Sequence, residues 1–562
     1  MRRSEQAIRP SLLCFLSLIG FAIVIISSLG TDIQTISPGT PFGLLGVLPP
    51  GYWAGMGIML LSLGLGFRHG SERLFFVQSA LVFLALWGAP SLFEGFPSTW
   101  DSTMHYYSSL EIARGGTMPT DPEFSYAYNY PGFFVLAASY AVLSDPPALL
   151  FLQFYPLFAA LLTVAAIYLF VRTYVPGADY RLAFLIAAFA NVWLQFNFSP
   201  QSLGLAAGLL IFVCLEREGI AWRLAAIGLF TFIVLAHPTT LVFVLGAILL
   251  KEVVGRIYRM VVARHRPIRW DRPWPIGAFL LIWLGWLITG SASFSHDLFE
   301  FIMLRLSYIM YAGQTMVQQV TMRTSPENVL GPEYSQIRLL AVALFVGAAL
   351  LAMLLYLFTR KRSPAPIPKN ILALFIVPFI IVPLDTLFFN GQLYDRGLLY
   401  IMLIAPIIFV PLLIGRVHRY IRPVLTVVAV LIVVAVASTA FYQESLYVSS
   451  ERSIAASDYL AQMGPETYVV GGYYPYDVWS DVPEGYTRIK YNTAYGSEAR
   501  ADSIDNLTIY FGRGAYMFDH TSELWYRQWG IYYMYSFYEG QAASHYRVYD
   551  NGDYHVIFSR GR

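Results

Sequence analysis

Apolar stretches of roughly 12 to 24 residues recur along most of the chain, separated by short polar connections. Strands show a two-residue alternation and surface helices a polar face, and most of these stretches show neither. A membrane crossing needs about 20 consecutive apolar residues, so the pattern predicts a membrane all-α protein. The runs fall at Ser11–Leu29, Tyr52–Phe67, Leu74–Leu92, Pro147–Val171, Leu182–Phe196, Gln201–Leu215, Trp222–Ala236, Thr239–Leu250, Trp274–Thr289, Leu339–Phe358, Ile371–Leu384, Gly397–Ile414 and Val424–Ala440. That makes about 13 transmembrane helices. A shorter run, Gly132–Leu143, predicts a helix lying in the interface, because counting it as a span would move the basic segment Lys251–Arg272 outside.

From Phe441 the pattern changes to a tyrosine-rich chain with turns and no spanning run. The expected organisation is a polytopic membrane domain over residues 1–440, with a first large outer loop at 93–131 and the interfacial helix at 132–143. A small α+β extracytoplasmic C-terminal domain over 441–562 follows. Its expected elements are a helix over Glu451–Met463, strands over Thr467–Tyr474, Tyr486–Tyr491 and Leu507–Phe511, and a hairpin over Tyr546–Ser559 turning at Asn551-Gly552.

Composition agrees with this picture: 57% of the 562 residues are hydrophobic and 13% charged, about half the charged share of a soluble domain. Nucleic-acid binders, disulfide scaffolds and cytosolic enzymes are thereby excluded. The net charge of +2 says little, but its placement says more. With the N-terminus cytoplasmic, as a retained signal anchor, the inner loops carry 23 of the 37 basic residues, the outer loops five and the C-terminal segment nine. The positive-inside rule favours that orientation. Cys14 and Cys214 lie in apolar runs without metal or redox spacing.

Candidate chemistry gathers at the outer ends of the spans, where an ionisable group is costly unless it is used or paired. After the third span comes Trp100-Asp101 with His105 one turn later and Glu111 beyond. A carboxylate at the membrane rim suits removal of a proton from a hydroxyl, and Asp101 equally suits a helix N-cap. Gln201 in Asn197-Phe-Ser-Pro-Gln201 and His237 in His237-Pro-Thr-Thr240 place polar groups at headgroup level, although a histidine in a proline turn also serves to satisfy freed backbone. Arg396 follows Tyr394-Asp395 between spans eleven and twelve. Its guanidinium suits a lipid-linked phosphate or an internal pair with Asp395 or Asp385. Asp121-Pro-Glu123 offers weak ligands for a divalent cation, and the cofactor is otherwise unknown. No Walker loop, GxGxxG, HExxH or cysteine cluster is present.

Taken as a set, Trp100-Asp101 through Gly115-Gly116, Tyr130-Pro131-Gly132, Phe198-Ser-Pro-Gln201 and His237-Pro-Thr-Thr240 resemble the GT-C superfamily of integral-membrane glycosyltransferases, including protein mannosyltransferase-like members of archaea and other prokaryotes. The resemblance covers roughly Leu74 to Ala440. It implies transfer of a sugar from a polyprenyl-phosphate (dolichyl-phosphate-type) donor to a protein or glycan acceptor, with membrane lipid around the site and Asp101 as acid/base. Roles for Arg396 on the phosphate and His237 at the donor follow from location. The chain departs from the family pattern in two preceding spans and in Asp101-Ser102 where some members carry two acidic residues. The strings Asp477-Val-Trp-Ser-Asp481 and Trp525-Tyr-Arg-Gln-Trp529-Gly do not match the sequon-reading motif of oligosaccharyltransferases. The rival classes are a lipid-linked glycan flippase or transporter, which would bury charge within its spans, and a catalytically inactive scaffold of the same fold.

Overall fold

The computed structural model describes residues 10–33, 36–37, 40–95, 100–118, 125–144, 148–177, 179–262, 274–296, 299–300, 302–304, 306, 332–359, 367–388, 393–415, 420–442, 455, 467–470, 487–489, 513–519, 546–550 and 554–560. Up to Tyr442 they are almost wholly helical. Helices long and apolar enough to cross a membrane, among the described residues, cover Pro10–Leu29, Leu150–Tyr174, Glu333–Phe358, Lys369–Thr386 and Tyr394–Ile414. Shorter apolar helices occupy Gly132–Ser144, Pro200–Leu215, Ile220–Ala236, Trp274–Thr289 and Ile421–Ala437. The 13 residues of Gly132–Ser144 rise about 20 Å, short of the hydrocarbon thickness of about 30 Å.

Apart from the run Leu74–Leu92, which breaks at Gly88 into the helices Glu72–Trp87 and Ala89–Phe93, two expected elements differ. The run Leu182–Phe196 is not one helix: Asp179–Phe189 is helical and the chain then turns irregularly to Ser199. Irregular backbone is tolerated at such depth only inside protein, and Ala190, Asn191, Val192, Leu194, Phe196 and Phe198 are all buried. The Asn191 amide donates to the Leu399 carbonyl at 3.0 Å, and Pro200 starts a new helix, where its missing N–H costs nothing. In the second, the helix from Pro238 continues to Val262, so the basic segment expected as a loop from Lys251 begins as helix. Lys251, Glu252 and Arg256 are good helix formers, and nothing in the sequence stops the helix there.

The first helix, Pro10–Leu29, packs along Pro50–His69. A Cβ on Gly20 would stand 2.7 Å from the Gly55 carbonyl oxygen, and one on Gly55 would stand 2.4 Å from that of Gly20. Only glycine permits this approach, the usual device where lipid supplies no hydrophobic drive. Next to it, Gln78 donates to the Ser62 hydroxyl at 2.8 Å and Ser17 to the same oxygen at 3.0 Å. Of the five helices long enough to span, the most enclosed is Tyr394–Ile414: all residues from Gly397 to Phe409 are buried, and it ends in a π-helical turn over Val410–Ile414.

The last described residues before the C-terminal segment are stitched to the first hairpin. The Leu44 amide donates to the Phe441 carbonyl at 3.3 Å, Phe441 packs on Trp87 at 5.8 Å, and the Phe42 amide donates to the Tyr334 hydroxyl at 3.0 Å. Arg338 stacks over Tyr442 at 4.5 Å and donates to the Thr439 hydroxyl at 3.0 Å.

Beyond Tyr442, strands β1 (Thr467–Val470), β2 (Thr487–Ile489), β3 (Arg513–Asp519), β4 (Tyr546–Asp550) and β5 (Tyr554–Arg560) form a mixed sheet in the order β2-β1-β3-β5-β4. β1 pairs parallel with β2 and β3, while β5 pairs antiparallel with β3 and β4. The expected hairpin flanks are therefore present, with Asp550 opposite His555. β3 was not expected; the strand anticipated at Leu507–Phe511, most of the helix at Glu451–Met463 and the Asn551-Gly552 turn lie outside the described residues.

Candidate functional site

Asp101 is the second residue of the helix Trp100–Gly115, within the first turn and past the N-cap position that the sequence also suggested; its side chain is not among those described. Ser102, next to it, is buried and accepts a hydrogen bond from the Phe198 amide at 3.2 Å. This contact fixes the start of the outer-loop helix against the irregular segment that leads into Gln201. His105, one turn on, packs among Phe134, Tyr126 and Phe133 at 5.4, 6.0 and 6.5 Å between ring centroids. Burial among these rings lowers its pKa from the usual 6.5 to about 4. Glu111 is partly buried on the same helix. It stands six residues past His105, about 240° around the helix, and so on another face.

His237 is the only break between the helices Ile220–Ala236 and Pro238–Val262, because Pro238 cannot continue the first. Its ring is buried and held from both sides: Nδ1 lies 2.7 Å from the Thr240 hydroxyl and Nε2 3.0 Å from that of Thr239. Burial, the nearby Arg396 guanidinium and His105 together push its pKa well below the ordinary value. The imidazole is therefore neutral and serves as a polar group, without positive charge. The segment from Tyr126 to Gly132 rests on this turn, since the Tyr126 hydroxyl donates to the Ala236 carbonyl at 3.4 Å and Gly132 faces Leu235.

Arg396 sits in the first turn of Tyr394–Phe409 and donates from Nε to the Gln201 side-chain oxygen at 3.0 Å. Of the internal partners weighed from sequence, Asp385 accepts the Leu393 amide at 2.8 Å, which closes the connection back to this helix. Asp395 hydrogen-bonds Trp193 and feels both Arg396 and Arg338. Gln201, His237 and Arg396 thus meet, with Leu205, Thr239, Thr240, Phe243, Leu399 and Tyr400, around a small, half-open cleft of about 10 Å³, room for about one water. Such a cleft offers a guanidinium, an amide and several hydroxyls to an oxygen-rich anion over an apolar floor.

Three of the six predicted site residues line this cleft. His105 bears on His237 electrostatically, and no described contact brings Asp101 to the cleft, its neighbour Ser102 meeting Phe198 outside the lining. No described contact brings Glu111 to it. Tyr400 was missed: it stands four residues after Arg396, hence on the same helix face, yet in sequence it reads as one more aromatic in an apolar run. Asp121 and Glu123 lie outside the described residues, and among the described residues no three His, Cys, Asp or Glu side chains are placed to hold a metal ion.

No protein-family model matches the chain, and no curated protein matches its sequence. Among solved structures, it is similar to a crystal structure of ArnT from Cupriavidus metallidurans in the apo state, with 14% identity, covering 86% of this chain and 97% of that one, at a TM-score of 0.38.

Proposed function

We propose that this chain is a GT-C-type glycosyltransferase of the extracytoplasmic face, moving a sugar from a polyprenyl-phosphate donor to a protein or glycan acceptor. The observation that carries the proposal is the meeting of Arg396, Gln201 and His237 in one cleft, with His105 of the helix Trp100–Gly115 close enough to act on His237. In the proposed reaction the acceptor hydroxyl attacks the anomeric carbon as Asp101 takes its proton. The carbon–oxygen bond to the phosphate breaks, and the electron pair leaves with the lipid phosphate. Arg396 meets the charge that develops on that phosphate. His237, neutral and clamped by two threonines, orients the donor without adding charge. Asp101 at the membrane rim acts as base where water is scarce.

The same reading takes the N-terminus as cytoplasmic, the membrane part as about 13 spans and the C-terminal segment as a separate extracytoplasmic α+β domain that meets the acceptor. A basic tally of 23 inner against five outer residues supports this topology. The test is reconstitution of purified protein with radiolabelled polyprenyl-phosphate hexose. Sugar transfer or release that is lost in Asp101→Asn supports the proposal. Turnover retained in a correctly folded Asp101→Asn protein rejects the role of Asp101, and no turnover with any donor counts against the enzyme reading itself.

A further inference from the structure

Tyr400 belongs to the cleft yet has no part in the chemistry assigned so far. Its side chain is only 4% exposed, and its hydroxyl, though beside Thr240, completes no hydrogen bond of acceptable geometry. The Thr240 hydroxyl is engaged with His237 Nδ1 at 2.7 Å. A buried hydroxyl left in this state is destabilising, a cost that an incoming acceptor would remove.

The surroundings hold this hydroxyl in place. The ring stacks on Phe243 with centroids 4.6 Å apart and planes 24° from parallel. Opposite lies Gly208, where a Cβ would stand 3.1 Å from Val244 Cγ2, 3.3 Å from Thr240 Cγ2 and 3.8 Å from the Tyr400 hydroxyl oxygen. Gly208 does not itself line the cleft, but a Cβ there would press on Thr240, whose hydroxyl holds His237, and touch the Tyr400 hydroxyl. Side chains on a helix lean toward its N-terminus, so Tyr400 reaches back along the helix toward Arg396, one turn earlier. Arg396 can only donate hydrogen bonds, and a group shared by both residues must therefore present accepting oxygens.

We propose that Tyr400 is a second donor to the anionic phosphate oxygens that Arg396 binds. This inference rests on reading the cleft as the lipid-phosphate site. It is tested by titrating the purified protein in nanodiscs with decaprenyl phosphate, decaprenol and inorganic phosphate, following intrinsic tryptophan fluorescence. The wild type is expected to bind decaprenyl phosphate best. Tyr400→Phe should weaken that affinity by about tenfold, the worth of one hydrogen bond to a charged group, and leave decaprenol binding unchanged. Its ligand-free melting temperature should stay level or rise, because the phenylalanine leaves no unsatisfied hydroxyl. Gly208→Ala should weaken decaprenyl phosphate binding in the same direction by crowding Thr240 and the Tyr400 hydroxyl, which keeps the test independent of one variant. Unchanged decaprenyl phosphate affinity in both variants overturns the Tyr400 inference and leaves the proposed function standing. Failure of the wild type to distinguish decaprenyl phosphate from decaprenol overturns the lipid-phosphate reading itself, and tighter binding of inorganic phosphate than of the lipid assigns the site to a soluble anion.

Discussion

Two polar clusters lie at opposite ends of the same helices, and they differ in what they leave open. At one end, Tyr174 donates to the Phe212 carbonyl at 3.1 Å, and Asn370 donates to the Tyr174 hydroxyl at 3.1 Å and to Glu216 at 2.5 Å. Three chain segments are tied there side chain to side chain and side chain to backbone. At the other end, one 16-residue helix away and so about 24 Å distant, Gln201, His237 and Arg396 surround empty space. A polar network whose groups bind one another holds helices together; one that surrounds a gap is arranged for an occupant. The contrast separates two kinds of buried polarity that look alike in sequence.

The largest effect that would sharpen this contrast is expected for Asp101→Asn, which should lower the maximal rate of sugar transfer by about 100-fold or more with donor affinity near normal. Arg396→Ala should raise the donor KM by about ten- to a hundredfold and lower kcat less, since a charge-assisted contact present in both ground and transition state is lost. At the closed end, Glu216→Ala should cost stability of about 1–3 kcal/mol, read as a lower melting temperature in detergent, while KM stays unchanged. A KM shift there would break the distinction drawn between the two clusters.

The smallest effect concerns pH. His105 is held neutral in the fold by burial that lowers its pKa to about 4, whereas in the unfolded chain it protonates near 6.5. The unfolded state therefore takes up more protons as pH falls below 6.5, and stability present above that value is lost on the way down toward 4. Between pH 7 and 5 this amounts to about 1–2 kcal/mol, and His105→Phe should flatten that slope in thermal melts.

Much of the helical framework was legible because long apolar runs have few alternatives. The runs at Ser11, Tyr52, Pro147 and Trp274 begin within two residues of observed helices. Leu182–Phe196 misled because its apolar character reflects burial of irregular chain, which hydropathy cannot tell from a helix; Asn191, bonded to Leu399, was the local sign. At the site, Gln201, His237 and Arg396 stood out as polar residues in apolar surroundings, and their meeting across 195 positions of sequence could not be read from any one of them. Tyr400 carried the opposite difficulty, a polar atom on a residue that otherwise counts as apolar. The strand Arg513–Asp519 was missed because its pairing with both β1 and β5 is set by the sheet and not by local alternation.

The seam between Leu44 and Phe441 bears on how the molecule is made. These two residues are separated by almost the whole membrane part, so the first hairpin enters the bilayer long before its partner exists. At roughly 5–20 residues per second of synthesis, the Leu44 amide waits about 20–80 s for the carbonyl that completes it. During that interval the glycine-packed pair Pro10–Leu29 and Pro50–His69 can form alone, and the ribosome's delivery of Phe441 becomes the moment at which the beginning of the chain is closed by its end.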